Sequence, residues 1–142
     1  MRRKTIKRRR TLTAEVSDQE LKAVIADFLE MGHVANIFEM FKRQPLYYGW
    51  VGEILDDERF NVRLGISVLF EELKSHHPQD LSLAIPSLLQ VLVSGPPYVR
   101  GEAASVLGII GTAEALEGVR RALDDVSPQV VEIAMDVLED FE

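Results

Sequence analysis

Tyr98-Val99-Arg100-Gly101-Glu102-Ala103-Ala104-Ser105-Val106-Leu107-Gly108-Ile109-Ile110-Gly111 is the stretch of this 142-residue chain that decides its fold. Val99, Ala103, Val106, Leu107 and Ile110 stand at i, i+4, i+7, i+8 and i+11, which is one apolar face of a helix. The same spacing recurs on both sides. Anchored on Val62, Val99 and Val130, the +4 column reads Ile66, Ala103, Ala134 and the +7 column Leu69, Val106, Val137. The +8 column reads Phe70, Leu107, Leu138 and the +11 column Leu73, Ile110, Phe141. Backwards, the −7 column is Leu55, Leu92, Leu123, the −11 column Val51, Leu88, Val119, and the −14 column Tyr48, Ile85, Leu116. Only 46% of the chain is apolar, so an unbroken match across these columns is not a chance event.

Each copy reads as a helix, a short turn and a second helix whose stripe faces the first. The turns at 56–61, 94–98 and 124–129 hold Asp, Gly, Pro and Ser, which punctuate helices. One such hairpin does not cover its own apolar face, so neighbours must stack to make a core. Ahead of the repeats, Ser17-Asp18-Gln19-Glu20 has the pattern of a capping box. Leu21, Val24, Ile25, Phe28 and Leu29 follow on one helix face. Gly32-His33 breaks that helix, with His33 expected to cap a helix end. Val34, Ile37, Phe38 and Phe41 begin a second face, and Pro45 suits the first turn of a third helix. The domain therefore spans 17–142, with a divergent cap hairpin at 17–44 and three repeats at 45–142.

The stretch quoted at the outset, with Ala113-Glu114-Ala115-Leu116 and Leu123-Asp124-Asp125 after it, resembles the HEAT-like repeats of phycobilisome-lyase type. That pattern has a Val-Arg pair, small Ala and Gly positions, a Leu-Gly-x-Ile-Gly close, then Glu-Ala-Leu and Leu-x-Asp. The resemblance covers about 45–142 and implies a right-handed, all-α solenoid of four helical hairpins. Asp57 and Arg63 keep the spacing of the Asp and Arg that link neighbouring HEAT units. Ser94 and Val131 depart from it, so the charge ladder is expected to be incomplete, with packing carrying the contacts between units. Members of the family include scaffolds, chromophore-lyase subunits and DNA-repair enzymes, so the resemblance speaks for fold rather than function.

Charge divides the chain in two. Residues 1–10 carry seven of its sixteen Lys and Arg (Arg2, Arg3, Lys4, Lys7, Arg8, Arg9, Arg10) and no acid. The rest holds nine bases against all 23 acids, a net of −14. Residues 1–16, dense in like charge and without apolar periodicity, are expected to form a disordered basic arm. The arm suits anionic partners: nucleic acid, anionic lipid without insertion, an acidic protein surface or the chain's own acidic end. Without aromatics it has no base stacking, so nucleic-acid binding would be non-specific. No apolar run is long enough to span a membrane, and no apolar segment follows the basic start, so a cytoplasmic protein is expected.

Catalytic patterns are lacking. The chain has no cysteine, which excludes disulfides, thiolate metal sites and cysteine nucleophiles. His76-His77 before Pro78 reads as a solvated linker, with Asp80 the only nearby co-ligand for a metal. Gly49-x-x-Gly52 and Gly108-x-x-Gly111 are not phosphate loops and read as close helix approaches or helix ends. The paired carboxylates Asp56-Asp57, Glu71-Glu72, Asp124-Asp125 and Glu139-Asp140 read as solvated surface. Tyr48 reads as core, and Tyr47 and Trp50 as seam packing, with an exposed ligand contact as the alternative for these two. What is left is the face of the second helices beside the core stripe: Arg63, Ser67 and Glu71, then Arg100 and Ser105, then Glu132, Asp136 and Glu139. It grows more acidic towards the C-terminal end, as a groove for a basic or amphipathic segment would. The expected role is a non-catalytic protein-interaction module or small scaffold, without cofactor or metal and with its oligomeric state open. A nucleic-acid-associated protein tethered by the arm and an accessory subunit of a lyase-like enzyme are the alternatives.

Overall fold

The computed structural model describes residues 18–141, so the basic arm expected at 1–16 lies outside the described residues. Among the described residues every regular element is helical and there is no strand. Helix α1 runs through residues 18–30 and α2 is Val34–Arg43. A 3-10 segment, Pro45–Trp50, leads directly into α3, Val51–Leu55, and α4 is Phe60–His76. A second 3-10 segment, Pro78–Ala84, leads into α5, Ile85–Ser94, and α6 is Pro97–Ile110. Helix α7, Ala113–Arg121, closes in a 3-10 turn at Ala122–Asp124, and α8 is Pro128–Glu139. Pro45, Pro78, Pro97 and Pro128 each open a helical segment, where the fixed φ helps and the missing N–H costs nothing. None of the described helices is long and apolar enough to cross a membrane.

Two rows of helices share the core. Helices α2, α4, α6 and α8 touch in that order, as do α3, α5 and α7, and each of α3, α5 and α7 also packs on the helix that follows it. The repeat columns lie between the rows. The anchors Val62, Val99 and Val130 are buried, as are Ile66, Ala103 and Ala134 behind them. Complete burial of a valine or isoleucine side chain contributes roughly 1.5–3 kcal/mol. The third copy departs from the pattern. Leu123 is 38% and Phe141 47% exposed, and Val137 and Leu138 are half-buried, because no described helix packs beyond α8.

Neighbouring helices of one row approach closely where side chains are small. A methyl group on Gly52 would run into the backbone carbonyl of Ser87, and the Gly52 N–H donates to Ser87 Oγ at 3.0 Å. Gly49, paired with it in the sequence, faces open space and permits no approach. Gly111 ends α6 in the left-handed conformation, φ +70°, which a residue without Cβ adopts freely. The Ile109 carbonyl in that last turn accepts a hydrogen bond from Lys74 Nζ of α4 at 2.6 Å, so one unit finishes the helix of the next.

Three local expectations need correction. His77 does not sit in a solvated linker: its side chain is 13% exposed and pairs with Asp80 at 3.3 Å, because Pro78 starts a helical segment at once. His33 occupies the N-cap position of α2 but makes no side-chain capping bond; its ring packs edgewise on Phe28, with centroids 5.6 Å apart. The junctions between units also carry charge as well as packing. Arg100 of α6 donates from Nε and Nη2 to the two carboxylate oxygens of Asp125, each at 2.9 Å, and from Nη1 to the Gly95 carbonyl. Asp125 holds in the third unit the ladder position that Ser94 vacates in the second. Arg63, whose partner Ser94 would have been, turns back to the carbonyls of Asp57 and Glu58 at 2.8 and 2.9 Å. Asp57 is gripped instead by Arg59, which also reaches Asp27 and Glu30 of α1 and ties the cap hairpin to the first repeat.

Candidate functional site: a furrow across α4, α6 and α8

Side chains of α4, α6 and α8 line two depressions on the outer face of their row. Towards the C-terminal end of α6, Ser67, Glu71 and Lys74 of α4 meet Ser105 and Ile109 of α6, with Asp140 and Phe141 beyond. Towards its N-terminal end, Tyr98 and Glu102 of α6 meet Glu132, Ile133 and Asp136 of α8. Helix α6 contributes to both, through Tyr98, Glu102, Ser105 and Ile109 on one of its faces, and the pair of depressions is called the furrow below.

The structure therefore brings Ser67, Glu71 and Ser105 together at one end and Glu132 and Asp136 at the other. Arg63 lies between α4 and α6, its guanidinium 4.5 Å from the centre of the Tyr98 ring and 5.7 Å from that of Phe60. Glu139 is exposed on the last turn of α8 and lines neither depression. Arg100 does not join the face: it is committed to Asp125 and Gly95 and lines a separate depression with Leu89, Val93 and Val126. A side chain whose donors are already taken offers a partner little.

Tyr98, Glu102, Asp140 and Phe141 line the furrow without having been picked for this face; Phe141 was expected in a core column and Asp140 as plain solvated surface. A second omission adjoins it. Phe60, Leu64 and Val68, at i, i+4 and i+8 of α4, are 59%, 46% and 41% exposed. They form an apolar strip beside the furrow and were legible as a second stripe off the core columns. Tyr98 stands directly before the anchor Val99 and was readable as its neighbour on the helix.

The electrostatics of the face are one-sided. Among the described residues, Glu71, Glu102, Glu132, Asp136, Glu139 and Asp140 have no ion-pair partner. The bases nearest them are engaged, Lys74 on Ile109 and Arg63 on its own turn. The carboxylates with perturbed acidity lie elsewhere. The hydrogen bond from Arg59 holds Asp57 below the usual carboxylate range, and that from Arg100 does the same to Asp125. A carboxylate stabilised as the anion is a poor proton donor or acceptor at neutral pH.

The aromatic cluster is taken up by packing. Tyr48 is fully buried against Phe41 and Phe70, and Tyr47 tilts on Phe41 and Trp50. Trp50 is covered by Lys22 of α1, 5.1 Å from its ring centre, and that lysine also pairs with Glu53 at 3.1 Å. These rings seal the seam between the cap and the first repeat. Among the described residues no cluster of three or more His, Asp or Glu is arranged to hold a metal ion. No family model matches the sequence, and comparison with curated proteins and with solved structures gives no match.

Proposed function

We propose that the chain is a short HEAT-like α-solenoid of four hairpins, acting in the cytoplasm as a non-catalytic interaction module. Its furrow takes a basic or amphipathic segment of a protein partner, and its basic arm adds an anion-seeking contact. The observation that carries this reading is the row of furrow carboxylates without a cation among the described residues, next to the exposed strip Phe60, Leu64 and Val68. Unpaired acids attract and orient a basic segment, and an exposed apolar strip gives it somewhere to bury a hydrophobic face. The hairpin resemblance and the ordered contacts of the two helix rows support the solenoid.

The test is capture of partners from host lysate on the immobilised full chain and on a Glu132→Lys/Asp136→Lys/Glu139→Lys variant. All three side chains are exposed, so the variant should melt with the parent. The captured proteins should be lost from the variant and also from a Leu64→Asp chain. An unchanged set on both would overturn the reading.

A further inference from the structure

The furrow and the first ten residues are complementary in charge. Residues 2–10 hold seven bases and no acid, whereas the furrow is lined by Glu71, Glu102, Glu132, Asp136 and Asp140 against the single base Lys74. Several acids elsewhere on the body have cations of their own, while Asp18, Glu20, Glu39, Asp56, Glu58, Glu114 and Asp124 have none among the described residues. Arg59 serves Asp27, Glu30 and Asp57; Lys22 serves Glu53; Arg120 serves Glu117. The furrow gathers its five unpaired carboxylates along one pair of helices and their flank. It also offers a ring to a guanidinium. Arg63 already stacks on Tyr98, which is still 44% exposed.

Reach is sufficient. The bases precede residue 18 by eight to sixteen positions, and an extended chain covers about 3.3–3.6 Å per residue, so they extend roughly 26–58 Å from the start of α1. From α2 to α8 is three helix spacings of about 8–10 Å, and crossing from one row to the other adds about one more, for roughly 40 Å in all. The bases span that distance.

We propose that the chain's own residues 2–10 dock in the furrow along α6 and α8, so that the arm competes with any basic segment the furrow takes from a partner. An anionic ligand that captures the arm then opens the furrow. Linkage makes the effect reciprocal: a partner in the furrow frees the arm for its anion. The competitive role rests on the furrow being the binding surface proposed above; the contact itself does not.

The absence of cysteine makes the test direct. Thr5→Cys in the full chain gives one attachment point for a nitroxide, and the isotope-labelled protein is read amide by amide for paramagnetic broadening. The expected result is broadening over residues 98–105 and 129–140, lost in the Glu132→Lys/Asp136→Lys/Glu139→Lys background and in high salt. Salt acts on the unmutated body, so loss there does not depend on how the variant folds. Broadening confined to α1, or spread evenly over the chain, would overturn the proposal. So would equal broadening when the nitroxide and the isotope label are on different molecules, because the arm would then be seated on a second copy. The two readings separate cleanly. Broadening in the furrow with partner capture indifferent to the triple variant would leave the arm as the furrow's own occupant, whereas loss of capture without broadening would keep the partner site and remove the arm from it.

Discussion

Arg100 and Asp125 meet as a two-point ion pair, Nε and Nη2 each 2.9 Å from a carboxylate oxygen, with side chains 14% and 11% exposed. The same aspartate accepts the Ser127 N–H at 2.8 Å, and the same arginine holds the Gly95 carbonyl, so one pair staples the turn before α6 to the turn before α8. Little water reaches the pair, so its charge-assisted bonds are worth more than a surface bridge.

Arg100→Ala should lower stability by about 1.5–3 kcal/mol, the scale of hydrogen bonds to charged groups, measured by denaturant unfolding at neutral pH. The pH dependence has a definite sign. Asp125 is held below its ordinary value, first by the Arg100 hydrogen bond, so its contribution is complete above the unfolded pKa of about 3.9 and is lost as pH falls through the lower folded value. The stability gap between the parent and Asp125→Asn should therefore shrink below about pH 4. A gap that persists there would show that the carboxylate's charge is not what stabilises the junction.

Gly49 and Gly52 should part company. Gly52→Ala pushes a methyl group into the Ser87 backbone, and with α3 and α5 pressed together there it should cost about 1–3 kcal/mol, nearer the upper figure. Gly49→Ala meets nothing within 4 Å and should be neutral or stabilising by up to about 1 kcal/mol. Thermal melts of the two variants side by side decide the matter; equal losses would refute the close approach at Ser87.

Leu107 and Leu138 share a repeat column but not an environment. Leu107 is fully buried and Leu138 half-buried. Leu107→Ala should cost about 2–5 kcal/mol through the cavity it leaves, and Leu138→Ala roughly half as much, in proportion to the apolar area it keeps from water. Equal losses in denaturant unfolding would mean that α8 is covered from outside.

Tyr48 is fully buried, and its hydroxyl has no hydrogen-bond partner among the described residues. Burial, and then the charge of Asp80, push its pKa up to about 12. The unfolded chain ionises near pH 10 and the folded one does not, so this residue withdraws stability as pH rises from about 10 towards 12. Tyr48→Phe removes an unsatisfied group worth about 1–3 kcal/mol of desolvation and should be neutral to stabilising at pH 7. Its advantage over the parent should widen above pH 10. A Phe variant less stable than the parent would show that the hydroxyl has a partner after all.

How much of this was legible in advance differs from residue to residue. The helical class and the paired columns were readable, because the apolar residues after Val62, Val99 and Val130 fall in each copy at the spacing of a helix face, and that spacing survives in any row of letters. The furrow was half readable. Ser67, Glu71 and Ser105 were picked as neighbours by their spacing, but Arg100, although it grips its own turn as Arg63 does, is drawn out of the face by an ion pair. Its direction depended on Asp125 lying 25 residues along the chain yet in contact, which no local pattern records.

By itself the sequence determined which faces are apolar, where helices start at a proline and stop at a glycine, and that the body is acidic and the arm basic. These follow from side-chain chemistry and from backbone preferences that act over a few residues. Tertiary structure alone decided which carboxylates find a cation, which of two glycines meets a neighbouring backbone, and which copy of the repeat keeps an open side. Each of these depends on what another helix places within a few ångströms, and that distance is set by the packing of the whole rather than by the residues on either side.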